Sequence, residues 1–114
     1  MCKLNCTDYY MTSDLLTEEE LMALFEAARW APSSYNGQPW RYMYARRGET
    51  GWNTLYDSLI DWNKRWCDRA DTLVLVTCKN NFERNDKPAV TAQFDAGASW
   101  MSLALEAHAR GIVA

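Results

Sequence analysis

Ala28-Arg-Trp-Ala-Pro-Ser-Ser-Tyr-Asn-Gly-Gln-Pro-Trp40 is the stretch on which the fold of this 114-residue chain turns. A helical pattern runs into it and a strand pattern runs out. Between them stand two prolines, one glycine, two serines, an asparagine and a glutamine. Most loops this polar are connections. This one reads as a loop of fixed shape that points backbone N–H groups and short polar side chains at a partner.

On its N-terminal side, Thr17-Glu-Glu-Glu20 has the spacing of a capping box: the threonine hydroxyl meets the N–H three residues on, and the glutamate reaches back. Leu21, Leu24, Phe25 and Ala28 then recur at helical spacing up to a stop at Pro32. Residues 1–12 have no periodicity and read as extended.

On the other side, Trp40–Arg46 alternates, with Trp40, Tyr42 and Tyr44 on one face of a strand. Arg47–Gly51 reads as a turn. Trp52, Leu55, Tyr56, Leu59, Trp62 and Trp66 make one helical stripe, predicting a second helix with a core or subunit-interface face. Thr72–Cys78 is apolar without alternation, which predicts a strand buried on both faces in the middle of a sheet. Lys79–Lys87 is a polar loop. Pro88 suits the first turn of a last helix of about twenty residues ending near Arg110, with Gly111 as its left-handed stop. In that helix Ala89, Ala92, Ala96, Gly97, Ala98 and Ser99 permit close approach of another helix, and Val90, Phe94, Met101 and Leu105 form the expected packing stripe. Ile112-Val113-Ala114 looks like the start of a further strand.

Helix–strand alternation without repeats or linkers predicts one domain, 1–114, of helices packed on a sheet. Two full strands are little sheet for so many helices, and a dimer that pools strands would remedy that. Net charge is −3 with both signs interspersed, so no nucleic-acid footprint is present. No apolar run has the length of a membrane span, and the first residues lack the apolar core of a signal peptide. The expectation is a cytoplasmic protein. Cys2, Cys6, Cys67 and Cys78 lack the spacing of a metal site and read as reduced thiols.

No residue stands out as acid, base or nucleophile, so the catalytic residues are unknown. His108 is the one histidine and reads as a helix-face residue; Ser33 and Ser34 lack a nucleophile-elbow context; Asp57 and Asp61 read as a solvated face. Such a chain fits a protein whose cofactor carries the chemistry.

Glu26-Ala-Ala-Arg-Trp-Ala-Pro-Ser-Ser-Tyr-Asn-Gly-Gln-Pro-Trp-Arg-Tyr42 resembles the helix-to-strand segment of the nitroreductase family of FMN-dependent oxidoreductases. Asp95–Gly111 is similar to that family's long interface helix, and Ala70–Thr77 falls where it has a core strand. The resemblance runs in order over residues 17–113. It implies an α+β fold, a small mixed or antiparallel sheet packed with helices and completed by an intertwined homodimer, of which this chain is the N-terminal half. It further implies FMN at the subunit interface, with Pro32, Ser33, Ser34, Asn36 and Gln38 as the cofactor-binding residues. The implied activity is NAD(P)H-driven reduction of a small nitroaromatic, quinone or similar acceptor.

The chain departs from the family in two respects. The arginine-bearing segment that grips the FMN phosphate is replaced by Asp8-Tyr-Tyr-Met-Thr-Ser-Asp14, and the family continues for roughly a further half-chain. The resemblance therefore fits a short or truncated member. The alternative is a non-catalytic remnant that acts as a small-molecule-binding or structural dimer without FMN.

Overall fold

The Thr17 Oγ1 accepts the Glu20 N–H at 3.2 Å and the Glu20 carboxylate accepts the Thr17 N–H at 2.9 Å, so the expected capping box starts helix α1, Glu18–Arg29. The computed structural model describes residues 15–113. The expected extended segment at 1–12, the cysteines Cys2 and Cys6 and the substituted stretch Asp8–Asp14 lie outside the described residues. After α1 come a single 3-10 turn at Ser34–Asn36, strand β1 (Trp40–Arg46), helices α2 (Thr50–Asp57) and α3 (Asp61–Cys67), strand β2 (Thr72–Cys78) and helix α4 (Ala92–Ala109). The fold is α+β, as the resemblance implied.

β1 and β2 pair antiparallel, Trp40 opposite Cys78 and Arg46 opposite Thr72. Both strands keep the bounds read from sequence, but β2 does not lie mid-sheet: β1 is its one neighbour among the described residues. Its unbroken apolar run has a different cause. Helices pack on both faces of the ribbon, so apolar residues are needed on both, although Arg41, Met43 and Thr77 stay exposed. On one face Tyr42 packs with Leu24, Phe25 and Ala28 of α1 and Leu103 and Ala107 of α4. On the other, Ala45 and Leu73, cross-strand partners, pack with Trp52 and Cys67. A third small cluster, Ala31, Trp40 and Ala96, sits directly under the 32–38 loop.

The helix expected from Trp52 through Trp66 is two helices. Ser58 Oγ donates to Leu55 O at 2.6 Å and Ile60 is extended (φ −67, ψ 151), which ends α2 and restarts the chain as α3. One straight helix would carry Trp66 about 21 Å from Trp52. The break folds Trp66 and Cys67 back onto the Trp52 cluster instead. Trp62, counted in the stripe, is exposed, with the Arg65 guanidinium 5.2 Å from its ring.

The last helix also differs from expectation, in start and in face. Pro88 is not in its first turn. It is extended in a bridge with Asn81, and the Ala89 N–H donates to Asn80 O at 2.7 Å. That pairing needs extended backbone, so α4 starts only after Thr91. Val90, Phe94, Met101 and Leu105, the expected packing stripe, are exposed, Phe94 at 80%. The buried face carries Ala92, Asp95, Ala96, Ser99, Leu103 and Ala107. The small residues do allow close approach, and it is α1 of the same chain that approaches: Ser99 Oγ donates to Ala28 O at 2.9 Å. The C-terminus of α4 is as expected. Gly111 is left-handed (φ 74), its N–H donates to His108 O at 3.0 Å, and the Ile112 N–H donates to Ala107 O at 2.8 Å. These two bonds are a Schellman motif. Ile112 then packs into the α1–α4 core, and Ile112 and Val113 form no strand; Ala114 is outside the described residues.

Candidate functional site

Pro32 ends the α1 exit and Pro39 leads into β1, so the six residues between them must turn the chain within a short span. They do so with backbone that side chains rarely adopt: Tyr35 (φ 52), Asn36 (φ 52) and Gln38 (φ 42) are all left-handed. Each such non-glycine residue costs about 1–3 kcal/mol and persists only where its surroundings over-determine it. Here they do. The Asn36 N–H donates to Ser33 O at 3.0 Å and the Gly37 N–H to Ser34 O at 2.9 Å. The Gln38 N–H donates to Ser33 Oγ at 3.0 Å. The Ser34 N–H donates to Asp95 Oδ2 on α4 at 3.1 Å.

Four of the loop's N–H groups are therefore bonded within the protein, and the sequence-based expectation that they point at a partner is corrected. What the loop offers outward is its side chains. Pro32, Asn36 and Gln38 are exposed and Ser33 and Ser34 half-buried. The amides of Asn36 and Gln38 have no hydrogen-bond partner among the described residues. The Ser33 hydroxyl, having accepted from Gln38, still has its own proton to donate. The result is a rim of hydroxyl and carboxamide groups on a loop bracketed by Ala31 and Trp40, which pack with Ala96.

The five expected site residues thus lie together on one loop. Sequence reasoning missed the residues that hold it. Phe82, from the loop after β2, stands edge-on to Tyr35 with ring centroids 5.8 Å apart. A Cβ at Gly37 would come 3.1 Å from its ring and from Ser34 O, so a larger residue there would have to push the ring aside by a few tenths of an ångström. The Arg84 guanidinium lies 4.6 Å from the Tyr35 ring centroid and 5.5 Å from that of Phe82. Asp95 is the other missed residue. In sequence it reads as an acid early in a helix, where the dipole favours it, and its partner Ser34 is 61 positions away.

Glu83 ties the Phe82 loop to the sheet, pairing with Lys79 Nζ and, at 2.5 Å, with Arg41 Nη2. The hydrogen-bonded Lys79 ammonium first, and Arg41 after it, hold the Glu83 carboxyl below the usual carboxylate range. A lowered folded pKa means stabilisation that is whole above the unfolded value and lost as pH falls through the folded one. Acidification should therefore loosen 79–87 only below the ordinary glutamate pKa of about 4.3. Amide exchange at Phe82 followed against pH checks this, and Glu83→Gln should abolish the acid step. An acid step of the same size in Glu83→Gln would refute it.

No acid, base or nucleophile stands on this rim. His108 is exposed thirteen residues along α4 from Asp95, about 20 Å by helical rise. What the rim offers a ligand is the Pro32 ring, the Ser33 hydroxyl and the Asn36 and Gln38 carboxamides.

The sequence model described as the nitroreductase family matches residues 8–65. A search of curated proteins finds no match. Among solved structures, an oxidoreductase containing FMN superposes with a TM-score of 0.79 at 37% identity, over 86% of this chain and 51% of that one. A Desulfovibrio desulfuricans protein assigned as a nitroreductase and solved in complex with FMN gives 0.71 at 25% identity, over 86% and 54%. A nitroreductase family protein of Streptococcus pneumoniae gives 0.69 at 18% identity, over 88% and 66%, a likeness of fold alone. The chain spans about half the length of the first two.

Proposed function

From the premise that this chain belongs to the nitroreductase family, we propose that it acts in the cytoplasm as an FMN-dependent oxidoreductase, with the 32–38 loop as one wall of the flavin site. The observation that carries this reading is the preformed rim itself: the Asn36 and Gln38 carboxamides without a partner among the described residues and the Ser33 hydroxyl with its proton still to donate, on a backbone held in costly conformations. An isoalloxazine ring has the matching chemistry, a flat apolar body with carbonyl and N–H groups along its edge. Pro32 gives the ring an apolar contact, and Asn36 and Gln38 hydrogen-bond its polar edge or the ribityl chain. Ser33 and Ser34 donate from their hydroxyls. FMN, when bound, supplies electron transfer from NAD(P)H to a small nitroaromatic, quinone or similar acceptor. The chain's own residues bind it, orient it and fix which edge is open.

Residues 32–38 include no cation for the phosphate; the cation beside them is Arg84, its guanidinium 4.6 Å from the Tyr35 ring centroid. The two flanking arginines are engaged, Arg29 with Glu26 and Arg41 with Glu83. A homodimer accompanies this reading, supported by the exposed apolar residues Phe94, Met101 and Leu105 of α4 and Val90 just before it, among which Gly97 leaves open space for a neighbouring backbone.

Titration of the purified chain with FMN, read by tryptophan fluorescence and with the mass followed by sedimentation, tests both parts. Trp30 and Trp40 flank the loop, so binding should quench their emission. Asn36→Ala should weaken FMN by about tenfold, the size of one lost hydrogen bond to a ligand. The unliganded chain should sediment as a dimer that Phe94→Asp dissociates. A colourless protein with unchanged fluorescence overturns the flavin reading. The second reading, a dimer that binds no FMN, would then stand, since the loop's shape is held by internal bonds without any ligand.

A further inference from the structure

We infer that Asp95 is a positioning residue for the ligand wall: its buried carboxylate, reaching from α4, holds the Ser34 N–H and so locks the 33–38 loop in its left-handed shape. Asp95 is 6% exposed, buried where an unpaired carboxylate would be costly. One oxygen, Oδ2, accepts both the Ser34 N–H at 3.1 Å and the Thr91 hydroxyl at 3.1 Å. The Thr91 bond is local to α4 and orients the carboxylate. The Ser34 bond joins two elements 61 residues apart and is, among the described residues, the one hydrogen bond between α4 and the loop.

A purely helical role does not need that bond. An aspartate in the first turn of α4 satisfies the helix dipole while facing solvent, whereas this one turns inward and is desolvated to reach the loop. The loop in turn needs an external hold. Tyr35, Asn36 and Gln38 lie in left-handed backbone, and relaxing them would move the amides of Asn36 and Gln38 off the rim. The internal bonds from Asn36 and Gly37 close the turn upon itself and Ser33 closes it onto Gln38, but none of these fixes the turn to the body of the fold. Phe82 packs on its outer side; Asp95 holds its inner side by a charge-assisted bond, the stronger kind.

The inference rests on the loop being the flavin wall, and the test separates the two. Amide hydrogen exchange is measured without FMN, and FMN affinity is measured by titration, for the full chain and for Asp95→Ala, Asp95→Asn, Ser34→Ala and Ser34→Pro. In Asp95→Ala the amides of Asn36, Gly37 and Gln38 should exchange at least about tenfold faster, with the β1–β2 ladder unaffected, and FMN binding should weaken by a similar factor. Asp95→Asn keeps an acceptor of the same shape and should restore most of both. Ser34→Pro removes the donor N–H together with the hydroxyl, whose own share in exchange and FMN affinity Ser34→Ala measures, at a position whose predecessor, Ser33, is already extended (φ −148, ψ 154) as proline requires. It should reproduce Asp95→Ala even if that variant is too unstable to purify, while Ser34→Ala should leave exchange unchanged.

Exchange within twofold of the parent chain in both Asp95→Ala and Ser34→Pro overturns the inference. So does faster exchange with FMN affinity unchanged, because the loop would then not be positioned for the flavin. If the parent chain binds no FMN yet both variants speed exchange, Asp95 is confirmed as the residue that sets the loop and the flavin reading alone falls.

Discussion

Trp52→Ala is expected to destabilise the protein by about 3–5 kcal/mol, the range for truncating a buried aromatic to alanine. Trp52 is 4% exposed and sits at the centre of the core formed by Ala45, Leu73 and Cys67 on the face of the ribbon away from α1 and α4. Its ring meets Tyr56 edge-on at 5.1 Å, and the Arg47 guanidinium lies 4.6 Å from its centroid while donating to Ala70 O and Asp68 O. Removing the indole therefore opens a cavity and releases the arginine that ties the β1–α2 turn to the segment leading into β2. In a chain of this size the melting temperature should fall by roughly 12 °C or more. Trp52 lies on the opposite face of the sheet from the 32–38 loop, so below the melt FMN affinity should match that of the parent chain. Thermal melts by circular dichroism and a titration at low temperature measure both. A loss below about 1 kcal/mol would mean that α2 and α3 do not close a second core.

Ser99→Leu should be nearly as severe, for a different reason. Ser99 is fully buried where α1 crosses α4 on the sheet, donating to Ala28 O and lying 2.7 Å from the Tyr42 hydroxyl. With its one proton on Ala28 O, Ser99 accepts from Tyr42. Three elements thus converge on one oxygen: α1, which leads into the loop, β1, which leads out of it, and α4, which carries Asp95. Burial pushes the Tyr42 hydroxyl above the usual tyrosine range, keeping it neutral as a donor. Leucine would force the helices apart and strand the Tyr42 hydroxyl, together about 3 kcal/mol or more. Ser99→Ala, which removes the bonds without adding bulk, should cost about 1–2 kcal/mol. The two melts should differ accordingly, and equal melts would show that the crossing has room to spare. Unlike Trp52→Ala, Ser99→Leu should also weaken FMN binding, because the loop's two ends move with α1 and β1.

The parts of this fold legible in the sequence are those set by neighbours a few residues apart. The Thr17–Glu20 box, the alternation of Trp40, Tyr42 and Tyr44, and Gly111 with its Schellman bonds each involve residues within a turn or two of one another, where backbone sterics and local hydrogen bonds decide the outcome. Pro32, Ser33, Ser34, Asn36 and Gln38 share one loop for the same reason, since they lie within seven positions of one another. What could not be read was decided across distance. The apolar count around Trp52–Trp66 is the same for one helix or two, and only the Trp52–Cys67–Leu73 core requires the break at Ser58–Ile60. In α4 both faces are apolar enough to be buried. The choice of the small face followed from how closely α1 must approach for Ser99 to reach Ala28.

The opening stretch shows the same division. Its prolines, its glycine and its short polar side chains determined by themselves that residues 32–38 form a tight loop displaying hydroxyl and amide groups. Only the tertiary structure decided what holds that loop: Phe82 against Gly37 on one side and the Asp95 carboxylate on Ser34 on the other. A left-handed turn of non-glycine residues is not stable on local terms, so the contacts that secure it must come from elsewhere in the chain.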